Sequence, residues 1–207
     1  MTTGTNTRTR AGRLRLMARL QLARHGADLL HSKEEALQRE RTRLEGHVTR
    51  TEQQWKQTCR DAGACLLRSR ALGASAELTS IITRGPKLAA VTPHWQTSMG
   101  VTYPGSVECT LQADPVVTST AALRPTIDAY RLALQAAANH ASTTSALKSL
   151  DTELANTRRR RRAIEQRLIP RLETTIHDLD LHLDEQDRDE ALRVHIATGR
   201  QETPRPC

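Results

Sequence analysis

"RRRRRAIEQRLIPRLETTI", Arg158 to Ile176, contains five consecutive arginines, then an apolar pattern of helical spacing, then a proline inside that pattern. Ile164, Leu168, Leu172 and Ile176 recur every four residues straight through Pro170. A proline in a helix removes one backbone hydrogen bond and clashes with the preceding turn, at about 3 kcal/mol or more. A helix that tolerates it is predicted to be long and held by a partner, with Pro170 as a kink. Three successive steps of four are stutters, which locally unwind a supercoil.

The pattern extends in both directions. Upstream, a second long helix starts near Pro125 and passes through Leu134, Ala138, Leu147, Leu150 and Leu154; downstream, Leu179 and Leu183 restore the alternation of threes and fours. The N-terminal half repeats the theme. Leu16, Leu20, Ala23, Ala27, Leu30, Leu37, Leu44, Val48 and Trp55 step by threes and fours, with no proline from Met1 to Ile82. A mean step of about 3.5 residues is the seam of a left-handed coiled coil. Trp55 is read as part of that seam, packing into the core.

Between the helices, prolines and glycines cluster: Gly85-Pro86, Pro93, Gly100, Pro104-Gly105, Pro115. In "MGVTYPGSVECTL" β-branched residues flank Pro104-Gly105, which predicts a short β-hairpin or paired extended segments. The expected fold is all-α in the main: a long antiparallel two-helix coiled coil with a small middle cap that holds a hairpin. The boundaries read as 8–71 for the first helix, 72–124 for the cap, 125–198 for the second helix and 199–207 for a flexible tail, with Met1 to Thr7 frayed.

Composition agrees. The chain has 207 residues, 26% charged and only 2% aromatic, with no Phe. The apolar content is mostly Leu and Ala, alongside abundant Arg, as in long helices. A net charge of +8 implies an acidic partner. Single-strand nucleic-acid readers need stacking platforms that this chain lacks, whereas duplex binding through phosphates stays open. No stretch approaches the roughly 18 apolar residues of a membrane span, and the N-terminus lacks the apolar core of a signal peptide. Cys59, Cys65, Cys109 and Cys207 form no CxxC pair, which reads as free thiols in a cytosolic protein.

Pairing Arg8 near Gly199 and Arg70 near Gln135 sets the predicted register. Arg13, Arg15, Arg19 and Arg24 then face the acidic run from Asp180 to Glu190, and Arg158 to Arg162 face Glu45 and Glu52. Five residues cover more than one turn, so part of the arginine run points outward. It reads either as a solvated, ion-paired face or as a contact for an acidic surface. No phosphate-binding loop, dinucleotide fingerprint, zinc-protease or nucleophile-elbow motif occurs, and His177 and His182, five apart, lie on different helix faces. No catalytic residue, metal site or cofactor is expected.

Three stretches resemble the D subunit, the central rotor shaft, of V/A-type ATPases and ATP synthases. The first is "LRLMARLQLARHGADLLHSKEEAL", with Ala23, Gly26, Leu29, Leu30 and Lys33. The second is "HWQTSMGVTYP", where Trp95 precedes Met99-Gly100-Val101 and Pro104. The third is the arginine stretch: Thr157, Arg158 to Arg160, Ala163, Ile164, Glu165, then Ile169, Pro170, Arg171 and Leu172. The resemblance implies a non-catalytic subunit of a proton- or sodium-translocating complex, peripheral on the cytoplasmic side of the membrane. Its termini would enter the hexamer of A and B subunits, and its cap would face the F subunit of the stalk and the membrane-side C subunit. Candidate partner contacts are Arg158, Arg159, Arg160, Arg161, Arg162, Trp95 and Met99. Two rival readings are the coiled-coil stalk of a flagellar or type III export ATPase, and a basic coiled coil that binds nucleic acid.

Overall fold

Helix α1 runs from Arg10 to Ala71, 62 residues without a proline. Its start is capped by Thr9, whose Oγ1 accepts the Gly12 N–H at 3.1 Å while its carbonyl accepts from Arg13. Its end is a Schellman turn. Gly73, at φ 90°, gives its N–H to the Arg70 carbonyl, and Ala74 gives its own to Ser69. The computed structural model describes residues 9–83, 89–111, 121 and 123–201. Met1 to Thr7, Gly85-Pro86, Pro115 and the tail beyond 201 therefore lie outside the described residues.

After α1 come a short helix α2 (Ser75–Thr83), strands β1 (Ala89–Ser98) and β2 (Val101–Leu111), and helix α3 (Leu123–Ala163). A π-helical turn, Ile164–Leu168, leads directly into α4 (Ile169–Gln201). The fold is mainly helical, with a two-stranded antiparallel sheet as the central insertion. Helix α2 falls within the segment that the sequence reads as the small cap.

The hairpin forms, but its turn is not at Pro104-Gly105. The chain reverses at Met99-Gly100, with φ of 50° and 78°, and Ser98 pairs with Val101. Positive φ at both central residues suits a primed two-residue turn, and Gly100 takes it without strain. Pro104 and Gly105 instead sit inside β2, at an irregularity where Gly105 and Ser106 stand against the single residue His94. There a proline's missing N–H costs little. A Cβ at position 105 would lie 2.5 Å from the end of the Gln96 side chain, which would have to swing aside.

The chain divides into two compact units. One, Glu34–Asn156, holds a core of Leu37, Leu44, Val101, Tyr103, Ala146, Leu150 and Leu154. Here β2 lays its buried residues against α1 and α3. Tyr103 is 4% exposed, and its hydroxyl donates to Glu40 at 2.8 Å; Arg43 grips the same carboxylate with two bonds, at 2.6 and 3.0 Å. Farther along, Trp55 stacks on His140 with ring centres 5.4 Å apart, and Ser69 and Thr126 meet side chain to side chain.

The other unit joins Met1–Lys33 with Thr157–Cys207. Leu16, Ala23, Leu172 and Leu179 are buried together, with Leu20, Ile164, Ile169, Ile176 and Leu183 packed against them. Ion pairs flank this seam: Arg10 with Asp187 at 2.8 Å, Arg13 with Asp180 at 2.5 Å, Arg24 with Glu173 at 2.7 Å. They confirm antiparallel pairing but correct its register. Arg10 meets Asp187, not the region of 197, and Ser69 meets Thr126, not the region of 136; each is about ten residues short of expectation, close to three helical turns. Charge alone could not fix the register, because the acidic run offers a partner at almost every turn. The buried leucines fix it.

Candidate partner-contact surface

The arginine run ends α3. It begins just after Thr157, which is only 2% exposed, so the run starts at the edge of packed structure. Arg161 is half-buried and gives its Nη1 to Glu165 at 3.1 Å, an i,i+4 pair reaching into the π-turn. Arg158 is exposed and also engaged within the chain. Arg159, Arg160 and Arg162 are exposed and make no ion pair among the described residues. The partners expected for the run are taken: Glu45 pairs with Arg41 at 2.9 Å and Glu52 with Lys56 at 2.5 Å, each one turn away on α1. Local i,i+4 pairs form at no cost in chain closure. The three outward arginines therefore form a basic surface that nothing described in the chain neutralises.

Pro170 is the second residue of α4, and the π-turn before it accommodates the ring. In an α-helix the Pro170 ring would press on the Gln166 carbonyl. Instead the Ile169 N–H bonds the Ile164 carbonyl, five residues back, and the wider turn shifts the carbonyls ahead of the proline. The seam changes with it. Leu168 is 39% exposed, and the inward place goes to Ile169, which packs on the buried cluster. The three steps of four read from the sequence are thus one step of five, Ile164 to Ile169, followed by regular threes and fours through Leu172, Ile176, Leu179 and Leu183.

Other positions of the expected seam fall as follows. Leu16, Leu37, Leu44, Leu150, Leu154, Leu172 and Leu179 are buried; Leu20, Leu30, Val48, Ile164, Ile176 and Leu183 are half-buried. Trp55 is 37% exposed and finds its contact in the His140 ring rather than in an aliphatic core. Trp95, on β1, is 64% exposed, and Met99, at the hairpin turn, is 57% exposed. On the same hairpin Val101 and Tyr103 are buried in the core.

Two of these clusters perturb the charges that form them. The Arg13 guanidinium holds the Asp180 carboxyl below its usual range, and Asp180 in turn raises Arg13. Hydrogen bonds from Arg43 and then Tyr103 do the same for Glu40, against a burial that pushes the other way. Burial, and then the bond to Glu40, raises the Tyr103 phenol. Among the described residues no cluster of His, Cys, Asp and Glu is arranged to hold a metal ion. No helix among them is long and apolar enough to cross a membrane.

The features gathered here are long antiparallel helix pairing, a small hairpin, outward arginines and a proline bridged by a π-turn. They extend across the span matched by a family model described as the D subunit of ATP synthase, residues 13–199. Individual relatives agree. The chain is 26% identical over 201 residues to the D subunit of a V-type ATP synthase from Thermus thermophilus, covering 94% of this chain and 88% of that protein. It is 28% identical to the corresponding V-type protein of Anaeromyxobacter dehalogenans, covering 96% and 97%. To the D subunit of an A-type ATP synthase from Pyrococcus horikoshii it is 33% identical over 78 residues, 38% of this chain and 36% of that protein. The chain belongs to the family of ATP synthase D subunits.

Proposed function

We propose that this chain is the rotating central shaft of a V/A-type ATP synthase. It performs no nucleotide chemistry. It couples synthesis or hydrolysis of ATP in a hexamer of A and B subunits to proton or sodium transport, as a peripheral component on the cytoplasmic side of the membrane. Its hairpin, with Trp95 and Met99 outward, faces the F subunit of the stalk and the membrane-side C subunit, and its paired termini enter the hexamer.

The observation that carries this reading is the extent of the family match, which runs through both long helices and the hairpin between them. The physical requirements agree. A shaft turning in a collar needs contacts that are strong in sum and weak in direction, and exposed guanidiniums such as Arg159, Arg160 and Arg162 supply them. It must also bias the catalytic sites differently, which requires a different contact energy with each. A helix pair with a π-turn on one strand only is asymmetric in that sense. The test is co-purification from cells: a tagged chain should bring down a nucleotide-binding hexamer and a small stalk protein in fixed proportion. Recovery of the chain with duplex DNA and without a hexamer would reject the shaft and favour the nucleic-acid reading.

A further inference from the structure

A cleft opens where the hairpin lies on the helices, within the unit Glu34–Asn156. Its volume is about 230 Å³. Buried Leu44 and Ala146 form part of its wall, and four other side chains bring hydrogen-bond donors to it. Arg43 and His47 stand one turn apart on α1, Gln96 comes from β1 and Ser106 from β2. Arg43 bonds Glu40 through Nε and Nη2, at 3.0 and 2.6 Å, which leaves Nη1 for another acceptor. The side chains of His47, Gln96 and Ser106 make no hydrogen bond among the described residues. The Gln96 side chain lies over Gly105, where a Cβ would meet its Nε2 at 2.7 Å.

We propose that this cleft binds a phosphate group, either free phosphate or the phosphate of a small monoester. The inference goes beyond the shaft reading and does not depend on it, because every group involved belongs to one compact unit. The donors decide the chemistry. A guanidinium, an imidazole, an amide and a hydroxyl each offer a hydrogen, and a guanidinium bonds phosphate with the added strength of opposite charge. The Glu40 carboxylate does not oppose this, since Arg43 and the Tyr103 hydroxyl, at 2.8 Å, occupy its oxygens. The four donors come from three elements, α1, β1 and β2. A tetrahedral oxyanion offers acceptors in all directions, whereas a carboxylate takes its donors near one plane. The volume is below the roughly 300–1,000 Å³ of pockets for drug-sized ligands, so the compound that carries the phosphate is small. Bound there, it ties the hairpin to α1.

Phosphorus NMR on the full chain tests it. Inorganic phosphate is titrated at constant ionic strength, held with chloride, and its line width is followed. The line should broaden saturably, with one phosphate per chain. The triple variant His47→Gln, Gln96→Ala, Ser106→Ala should bind about ten-fold more weakly or worse. Its circular dichroism should stay the same, because none of the three side chains is bonded within the fold. Replacing Arg159, Arg160 and Arg162 with Gln, outside the cleft, should leave phosphate binding as it is. Competition by glycerol phosphate assigns the site to monoesters, and its absence assigns the site to free phosphate. No saturable broadening, or equal affinity in the triple variant, would overturn the site. Loss of binding on changing the arginine run would overturn it too, in favour of general surface charge. Acetate displacing phosphate at equal concentration would overturn the phosphate class. None of these readouts depends on assembly with a hexamer, so the shaft assignment stands or falls separately.

Discussion

Ile169 donates its backbone N–H to the Ile164 carbonyl, one residue before Pro170. The proline and the π-turn are one feature: the ring excludes α geometry at the preceding turn, and the wider turn admits it. Pro170→Ala restores a donor and removes the ring. The helix should then close into α geometry with Leu168 turned inward, and the free chain should gain part of the roughly 3 kcal/mol that an interior proline costs. Thermal denaturation reads the gain. A cysteine at position 168 reads the geometry, because its thiol should react more slowly in the Pro170→Ala background. Equal reactivity in both would show that the π-turn is set by something other than the proline.

The two apolar positions Leu150 and Leu168 should respond very differently to truncation. Leu150 is fully buried in the core with Leu37, Leu44 and Leu154. Leu150→Ala should cost about 2–5 kcal/mol, as cavity-forming changes do. Leu168→Ala, at an exposed site, should cost less than about 1 kcal/mol. Urea denaturation of both variants measures the contrast, and equal costs would contradict the five-residue step in the seam.

Glu40 ties α1 to the hairpin through Tyr103. Its carboxyl is held below the ordinary range, so the charged form is favoured in the folded state. Its contribution to stability is therefore complete above the unfolded-state value of about 4.3 and is lost as pH falls through the lower folded value. Glu40→Gln should destabilise the chain at pH 7 by about 1–3 kcal/mol. It should also flatten the acid limb of a stability–pH curve recorded below pH 5. An unchanged acid limb would place that pH dependence elsewhere.

Replacing Arg159, Arg160 and Arg162 together with Gln should leave the circular dichroism of the free chain nearly unchanged, since Gln and Arg have similar helix propensity. Assembly with the hexamer should weaken, and the loss should shrink as salt rises, because contacts between exposed charges are screened beyond about 8 Å at physiological ionic strength. Assembly indifferent to all three changes would remove the basic surface from the shaft–collar contact.

The long helices are legible in the sequence because proline-free, alanine- and leucine-rich repeats at coiled-coil spacing have few other ways to bury their leucines. The hairpin is legible in its β-branched residues, but its turn is not. Pro104-Gly105 is the stronger turn signal locally, and the packing of Tyr103 and Val107 on the helices overrides it. The pairing register is hidden because charge complementarity is nearly degenerate along Asp180 to Glu190; the burial of Leu16 and Ala23 with Leu172 and Leu179 distinguishes one offset from the next there. The π-turn leaves a trace in the three consecutive steps of four, which also fit a stutter. What separates the two is that Ile169 turns inward in place of Leu168, a property of three-dimensional packing. In the contact surface, the arginine run is evident, but the engagement of Arg161, in contrast to outward Arg159, Arg160 and Arg162, depends on where Glu165 lies.

The bond between Arg10 and Asp187 spans 177 residues of chain. Its consequence belongs to biosynthesis. The unit from Glu34 to Asn156 has all its segments once Asn156 has left the ribosome, and it can fold while synthesis continues. The first turns of α1 cannot. Leu16 and Ala23 wait for Leu172 and Leu179, and for that interval the nascent chain presents an unpaired apolar and arginine-rich helix. At about 5–20 residues per second the wait lasts on the order of ten seconds. The first turns of α1 are thus made early and packed late.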